Sequence, residues 1–446
     1  MHKNILDQQV MTFYSTHDGT ENAEAFSQAL LKVHPGDWRA TFPPAVFPPG
    51  HLRHIGTDAA RLLAIVFSLP ERLFGGDYSS FLASQCLTHR QQEDILSFCT
   101  PLALERARLF ARPDALLTSE GFKLVEMNVT PSLGGLGICD RYVSTLKEHP
   151  LSHQLQEAGI RLHAPDMGRL WAETLHRHRA PLADDRAPVM LELLDDPDEI
   201  AEDNFGWPDF GWIAREGGFR LLTGKPADVH FTPEGVYAFG VKIDIVFTDF
   251  VYAEQLQYNV GNALIAALVA AEHQGQIDLF SVPACCAVYD NKANLALLTD
   301  PDYAHLFTEQ ERVLIDAHIP HTFMLTPGNV ARAIREQNDL VLKPGLGLCG
   351  YQVMFGRQMS ALQWREQLER LLAEGGSFVL QQMVDDIWTY TLPHRQDNPR
   401  MVCIGPIIID GCYTGTFSRD EAYHGEAVVV NHAQGASWST GLERAE

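Results

Sequence analysis

The sequence predicts a mixed α/β (α+β) chain with a helical start and a strand-rich, ligand-holding remainder. Three observations predict it. Residues 111–135, ARPDALLTSEGFKLVEMNVTPSLGG, read as a polar-faced β-hairpin. Residues 340–356, LVLKPGLGLCGYQVMFG, read as a strand, a lysine, a glycine loop and a second strand. From residue 187 onward, short apolar runs recur at the spacing of alternating strands and helices.

Residues 1–40 carry an amphipathic helical pattern, and FPPAVFPPG (42–50) reads as a rigid proline-rich connector. Residues 55–110 read as several helices, the last of them, LALERARLFARP, leading into the hairpin. A mostly helical region is therefore expected over 1–100.

The hairpin belongs to a segment expected at 101–146. Its runs 113–118 and 122–127 flank Ser119, Glu120 and Gly121, which predicts a three-residue loop. With Glu120 at the centre, Asp114 faces Glu126 and Arg112 faces Asn128. Side chains alternate along a strand, so these four share one face. Carboxylates directly across a hairpin repel each other unless a cation lies between them. Asp114, Glu126 and the amide oxygen of Asn128 suit a hard ion, Mg²⁺ or else Mn²⁺, with phosphate oxygens completing its shell. Arg112 is placed to hold a phosphoryl oxygen. An ordinary exposed hairpin with a polar face is the plainer alternative.

Residues 147–186 read as a helical connection, with His163, His176 and His178 spaced too irregularly for a metal. Beyond 187 come strand-like runs such as APVMLELLDD and KIDIVFTDFV, an acidic solvated loop at 196–204, and a buried helix at 261–272. Together they outline a unit over 187–285, followed by 286–446. In the last part, Lys343 enters a loop containing Gly345, Gly347 and Gly350, where backbone N–H groups can approach phosphates. It is not a P-loop, which needs Gly-Lys-Ser/Thr opening a helix, nor a dinucleotide fingerprint, because a strand follows. A glycine-containing hairpin is again the plainer alternative. Residues 401–420 form a hairpin with Asp410-Gly411 as its turn, which delivers Arg419 to its end.

Length allows two or three domains. A formal charge of −23 argues against nucleic acid or anionic membranes as partners. The eight cysteines show no CxxC pair, which fits a reducing cytoplasm better than a disulfide framework. Cys139 and Cys349 read as packing residues. The first ten residues do not resemble a signal peptide, and no apolar run reaches membrane-spanning length.

The Arg-x-Asp…Glu-x-Asn hairpin (Arg112, Asp114, Glu126, Asn128) and the Lys-Pro…Gly…Cys-Gly loop (Lys343-Pro344 to Cys349-Gly350) together resemble the ATP-grasp superfamily. The order of the two is that of its circularly permuted branch, near the synthetase domain of glutathionylspermidine synthetase. The resemblance covers residues 100–146 and 240–440. It implies an ATP-grasp fold of glutathione-synthetase-like type, with a small Rossmann-like pre-ATP-grasp domain over 187–285. It implies Lys292 as a second nucleotide lysine, Gln381 and Gln382 at the adenine hinge, and Arg419 on the transferring phosphoryl group. Thr130, Ser132 and Asn431 fall where the family contacts its substrates. Residues 129–132 depart from the acidic and small residues common there, and an amidase domain has no room, so the substrate identity is left open.

The activity implied is amide-bond formation between a carboxylic acid and an amine, with ATP and Mg²⁺, through an acyl phosphate. No general base stands out between His424 and Glu426. The partners expected are small molecules, and self-association stays open. A kinase on the same scaffold, a non-catalytic nucleotide-binding protein and a carboxylate-only metal hydrolase are the rivals.

Overall fold

The computed structural model describes residues 5–17, 20–33, 39–130, 133–164, 166–194, 211, 214, 217–257, 261–347, 350–392, 399–425, 429–430 and 435–446. The elements that build the site follow in chain order. Helix α1 (His51–Phe74) precedes strands β1 (Phe110–Thr118) and β2 (Gly121–Asn128) and helix α2 (Leu136–Glu148). Next come β3 (Val189–Leu193), β4 (Arg220–Gly224), β5 (Ile245–Thr248) and β6 (Asp278–Leu279), then α3 (Pro283–Asp290), α4 (Ala293–Thr299) and α5 (Glu309–His318). The chain continues through β7 (Thr322–Met324), β8 (Leu340–Pro344), β9 (Met354–Phe355), α6 (Ala361–Glu374) and β10 (Phe378–Gln382). It closes with β11 (Arg400–Ile409), β12 (Cys412–Ala422) and β13 (Ser437–Thr440).

The large antiparallel sheet has the order β13-β12-β11-β1-β2, with the short strand Thr389–Tyr390 also on β11. Strand β11 is buried at every position, as its run of apolar residues requires. A second antiparallel sheet has the order β7-β10-β8-β9. One of its faces carries Phe323, Leu340, Leu342 and Leu380 against Trp364, Leu368 and Leu371 of α6. Because side chains alternate, the opposite face carries Thr322, Lys343, Val379 and Gln381. Val379 packs there on Ala293 and Ala296 of α4. A third sheet, β6-β5-β3-β4, is parallel throughout.

Several local expectations are corrected. The turn of the first hairpin is Ser119-Glu120, with Thr118 paired to Gly121. The register shifts by one residue between Asp114 and Ala115, so Asp114 still pairs with Glu126 and Arg112 with Asn128. A shorter loop and a bulge at Val125 thus cancel. The proline-rich segment is no spacer: Phe42, Val46 and Phe47 are buried, and Val46–Phe47 pairs with Leu442–Glu443. Between β4 and β5 lies a three-stranded antiparallel meander spanning 229–242, not a helix. The helix at 262–273 buries one stripe only, with Ile265, Leu268 and Ala271. After the glycine loop only Met354–Phe355 is strand. The 401–420 hairpin turns as expected at Asp410-Gly411, both with positive φ (49° and 73°), the geometry of a tight two-residue turn. Among the described residues no helix is long and apolar enough to cross a membrane.

Candidate active site

The site lies between the two antiparallel sheets, with the first hairpin on one side and β8, β10 and the start of α4 on the other. On the hairpin, Asp114 Oδ1 accepts from Arg112 Nε at 3.3 Å and Arg419 Nη2 at 2.6 Å. Arg419 is carried in by β12, opposite Cys403 of β11. Burial alone would push the Asp114 carboxyl up, but Arg419 and Arg112 outweigh it and hold the group below the usual carboxylate range. The Asp114 Oδ2 atom has no partner among the described residues.

Glu126 is arranged the same way. Its Oε1 lies 2.6 Å from Lys292 Nζ, and its Oε2 has no partner among the described residues. Burial disfavours the charge on Lys292, yet Glu126 and Asp290 outweigh that and raise its pKa above the ordinary lysine value. Asn128 donates Nδ2 to Arg112 O at 2.9 Å, which leaves its Oδ1 as an acceptor. Three oxygens on one face therefore remain: Asp114 Oδ2, Glu126 Oε2 and Asn128 Oδ1. All are hard donors, and the set suits Mg²⁺ completed by phosphate oxygens. No group of three His, Cys, Asp or Glu side chains gathers elsewhere among the described residues as a rival metal site.

Lys343 projects from β8 toward the hairpin. Its Nζ donates to Val125 O at 3.0 Å and to Gln381 Oε1 at 2.7 Å. Burial lowers its pKa to about 8, with Glu126 compensating only in part. Gln381 also donates to Thr322 Oγ1 at 3.2 Å. It is thus engaged in holding Lys343 and is turned away from the hinge role expected of it. Gln382 points to the other side of β10 and lines a cleft of about 820 Å³, together with Phe122, Lys123, Thr299, His318 and His321. There the Phe122 and His318 rings stack with centroids 3.9 Å apart.

The glycines divide between two tasks. Gly345 donates its N–H to Ser377 O at 2.7 Å and accepts Lys292 N–H at 2.9 Å, so it fastens the loop to α4 and offers no free donor. A Cβ at this position would lie 2.1 Å from Ser377 Oγ and 2.6 Å from Asn291 Oδ1. Gly347 accepts Lys292 Nζ at 3.2 Å. Gly350 has φ 73°, which favours glycine. Thr130 is buried just beyond the hairpin. Ser132, Cys349, Glu426 and Asn431 lie outside the described residues. His424 is described, and no part of the geometry above uses it.

Three contributors escaped the sequence reading. Gly405 on β11 lies under Arg112, and a Cβ there would approach Arg112 Cδ to 2.7 Å. An isolated glycine inside a strand was its available signal. Asp290 accepts Val129 N–H at 2.9 Å and is pushed up to about 6 by burial. Val125 offers its carbonyl to Lys343 because of the bulge, which no residue type announces.

No family model matches the sequence, and no curated protein does. Among solved structures, a glutathione synthetase-like effector from Globodera pallida, in its apo form, aligns over 98% of this chain and 97% of its own, with TM-score 0.57 and 12% identity. The chain has the fold of that glutathione synthetase-like protein. A candidate gamma-glutamylcysteine synthetase from Methylobacillus flagellatus aligns over 88% of this chain and 87% of its own, with TM-score 0.44 and 13% identity. A RimK-domain ATP-grasp protein from Sphaerobacter thermophilus covers 57% of this chain and 90% of its own, with TM-score 0.26 and 14% identity. The last two overlap too loosely to bear on this chain. The fold assignment thus rests on the first alignment, which covers 98% of this chain.

Proposed function

We propose that this ATP-grasp chain is an ATP-dependent carboxylate–amine ligase that forms an amide through an acyl phosphate and releases ADP and phosphate. One observation carries the reading. Two carboxylates paired across a hairpin, on one face of it, are each met at one oxygen by a site cation, and the other oxygen of each has no hydrogen bond among the described residues. A structural ion-pair network has no need of that split; a site for a divalent ion and phosphates does. The chain order, hairpin before lysines, supports the permuted branch of the fold.

Asp114, Glu126 and Asn128 would hold Mg²⁺, which when bound neutralises and orients the phosphates of ATP. Lys343 and Lys292 supply positive charge to the phosphate oxygens, and Gln381 fixes Lys343. The cleft beside Gln382 would take the nucleoside end, since β2 runs from Glu126 back to Lys123 and Phe122 on the cleft wall. A substrate carboxylate attacks the γ-phosphorus; the γ-phosphoryl group moves to it and ADP leaves. Arg419, whose Nε is buried without a partner among the described residues, and Arg112 stabilise the charge spread over the transferring group. An amine then displaces phosphate from the acyl phosphate. Exclusion of water from the site would protect the acyl phosphate, which hydrolyses readily.

The test measures ADP and free phosphate from Mg·ATP against pools of acids and amines, with Lys343→Ala and Asp114→Asn as controls. Equal ADP and phosphate, requiring both an acid and an amine and lost in both variants, is the expected result. ADP without phosphate would replace the ligase with a kinase. Undetectable nucleotide binding would remove the reading altogether.

A further inference from the structure

A cavity of about 10 Å³, room for one water-sized group, opens at the lysine end of the site. Its walls include Thr130 beyond β2, Tyr252, Cys286 and Asp290 of α3, and Leu346 and Gly347 of the glycine loop. Gly347 joins it to the site, because its carbonyl takes Lys292 Nζ at 3.2 Å while the same Nζ lies 2.6 Å from Glu126 Oε1. A group entering this cavity therefore arrives beside Lys292 and the glycine loop.

Among the described residues, Asp290 is the one carboxylate in these walls, and no lysine, arginine or histidine lines them. Its Oδ1 accepts the Val129 N–H at 2.9 Å, and among the described residues no cation lies within ion-pair distance of it. Lys292, two residues on, is turned to Glu126 instead. Asp290 is partly open to solvent because it faces the cavity. Its other surroundings are protein, and burial pushes the carboxyl up to about 6, although Lys292 and the Val129 N–H favour the ionised form. Near neutral pH an unpaired anion thus sits in a mostly apolar wall, an arrangement that is unfavourable until a cation joins it. The same field disfavours a carboxylate, so the acid substrate belongs on the arginine side of the site.

We propose that this cavity receives the ammonium group of the amine substrate, with Asp290 holding it and taking a proton as the amide forms. The inference rests on the ligase reading above. Asp290 removes one proton from the ammonium, the nitrogen attacks the acyl carbon, and the C–N bond forms. The C–O bond to phosphate then breaks, its electron pair leaves with phosphate, and the second nitrogen proton departs with it. Protonated Asp290 returns its proton to solvent. Charge and atoms balance with no further reactant.

The test compares two nucleophiles on one acid with Mg·ATP. Hydroxylamine, uncharged near neutral pH, traps the acyl phosphate as a hydroxamate, whereas a primary amine such as methylamine or putrescine arrives as a cation. In Asp290→Asn, which keeps an acceptor for Val129, kcat/KM for the amine is expected to fall about 100-fold or more, the range of a lost general base. Hydroxamate formation is expected to fall far less, and Asp290→Glu to recover part of the amine rate. Mg·ADP binding by calorimetry reports that each variant is folded. Equal losses for both nucleophiles, or no loss for the amine, would overturn the role of Asp290 and leave the ligase standing. Neither hydroxamate nor ADP from wild-type protein with any acid would overturn the ligase reading, and this inference with it.

Discussion

Arg419 Nη2 lies 2.6 Å from Asp114 Oδ1, the same oxygen that Arg112 Nε reaches at 3.3 Å. All three side chains are buried, with exposures of 4%, 7% and 9% for Arg419, Asp114 and Arg112. One carboxylate therefore sets the position of two guanidinium groups and separates their charges. Its loss leaves two like charges facing each other away from water. Removing one partner from a buried charged group costs about 3–5 kcal/mol. Asp114→Ala is expected to lose stability on that scale, read as a lower urea midpoint at unchanged slope. Asp114→Asn, which keeps the shape and one acceptor, is expected to lose less. Activity lost in the alanine variant alone would consequently report folding as much as metal binding, and the asparagine variant is the better control.

Arg419 is also the residue whose contribution should be confined to the chemical step. Its Nη2 is fixed on Asp114 at the metal face, and its Nε is buried without a partner among the described residues. Arg419→Lys keeps the charge but loses the planar fork. We expect kcat to fall about 100-fold or more while Mg·ADP affinity changes by no more than a few-fold, since one preorganised donor at a developing charge is worth that much. An equal loss in affinity and kcat would make Arg419 a nucleotide-binding residue instead.

How much of this was legible in the sequence differs from residue to residue. The pairing of Asp114 with Glu126 could be read because alternation fixes which side chains share a face, and polar residues on an otherwise apolar strand mark that face. The turn was misread by one residue, and the register survived only because the bulge at Val125 restores it. A bulge depends on backbone geometry that residue types do not encode strongly. Lys343 was legible, but Gln381 was assigned to the hinge, since nothing local shows that it faces Lys343 across β8 and β10. Asp290 was invisible for a similar reason. Its burial comes from Val129 and the glycine loop, segments far away in the chain.

The depressed pKa of Lys343 gives the site a pH dependence with a definite sign. Burial lowers the group to about 8, so the ammonium that a phosphate needs is present below that pH and lost above it. Mg·ADP affinity is expected to be flat on the acid side of about 8. Above it the affinity should weaken by up to about tenfold per pH unit, as proton linkage through one group requires. Calorimetry above pH 8 in buffers of different ionisation enthalpy should show proton uptake on binding. Lys343→Arg, always charged, should flatten the profile even if affinity drops. A profile equally steep in that variant would place the titration on another group. The folded protein itself changes in the opposite direction. A lysine whose folded pKa is below its unfolded value of about 10.4 binds fewer protons when folded, so stability rises between these pH values.

Gly405 offers the sharpest separation of fold from function. It sits in β11, the strand buried along its whole length, where valine or isoleucine would suit the sheet better by propensity. The structure explains the glycine by Arg112, whose Cδ and Cγ would lie 2.7 Å and 2.9 Å from a Cβ at this position. A methyl group here need not disturb the ladder, because the backbone pairing with β12 is regular around it. It must instead lift Arg112 away from Asp114 and from the carbonyls of Leu133 and Gly134, which the guanidinium also contacts. Gly405→Ala is therefore expected to cost about 1–3 kcal/mol from overpacking, a loss the whole domain can absorb. Acyl-phosphate formation should fall by far more, on the order of 100-fold, because a misplacement of about 1 Å at a positioning residue has that effect. A smaller second substitution tests the cause: Arg112→Ala in the Gly405→Ala background removes the clash. The double variant should then be no less stable than Arg112→Ala alone, while remaining inactive. If instead the two stability losses simply add, the glycine is required by the sheet and not by the arginine.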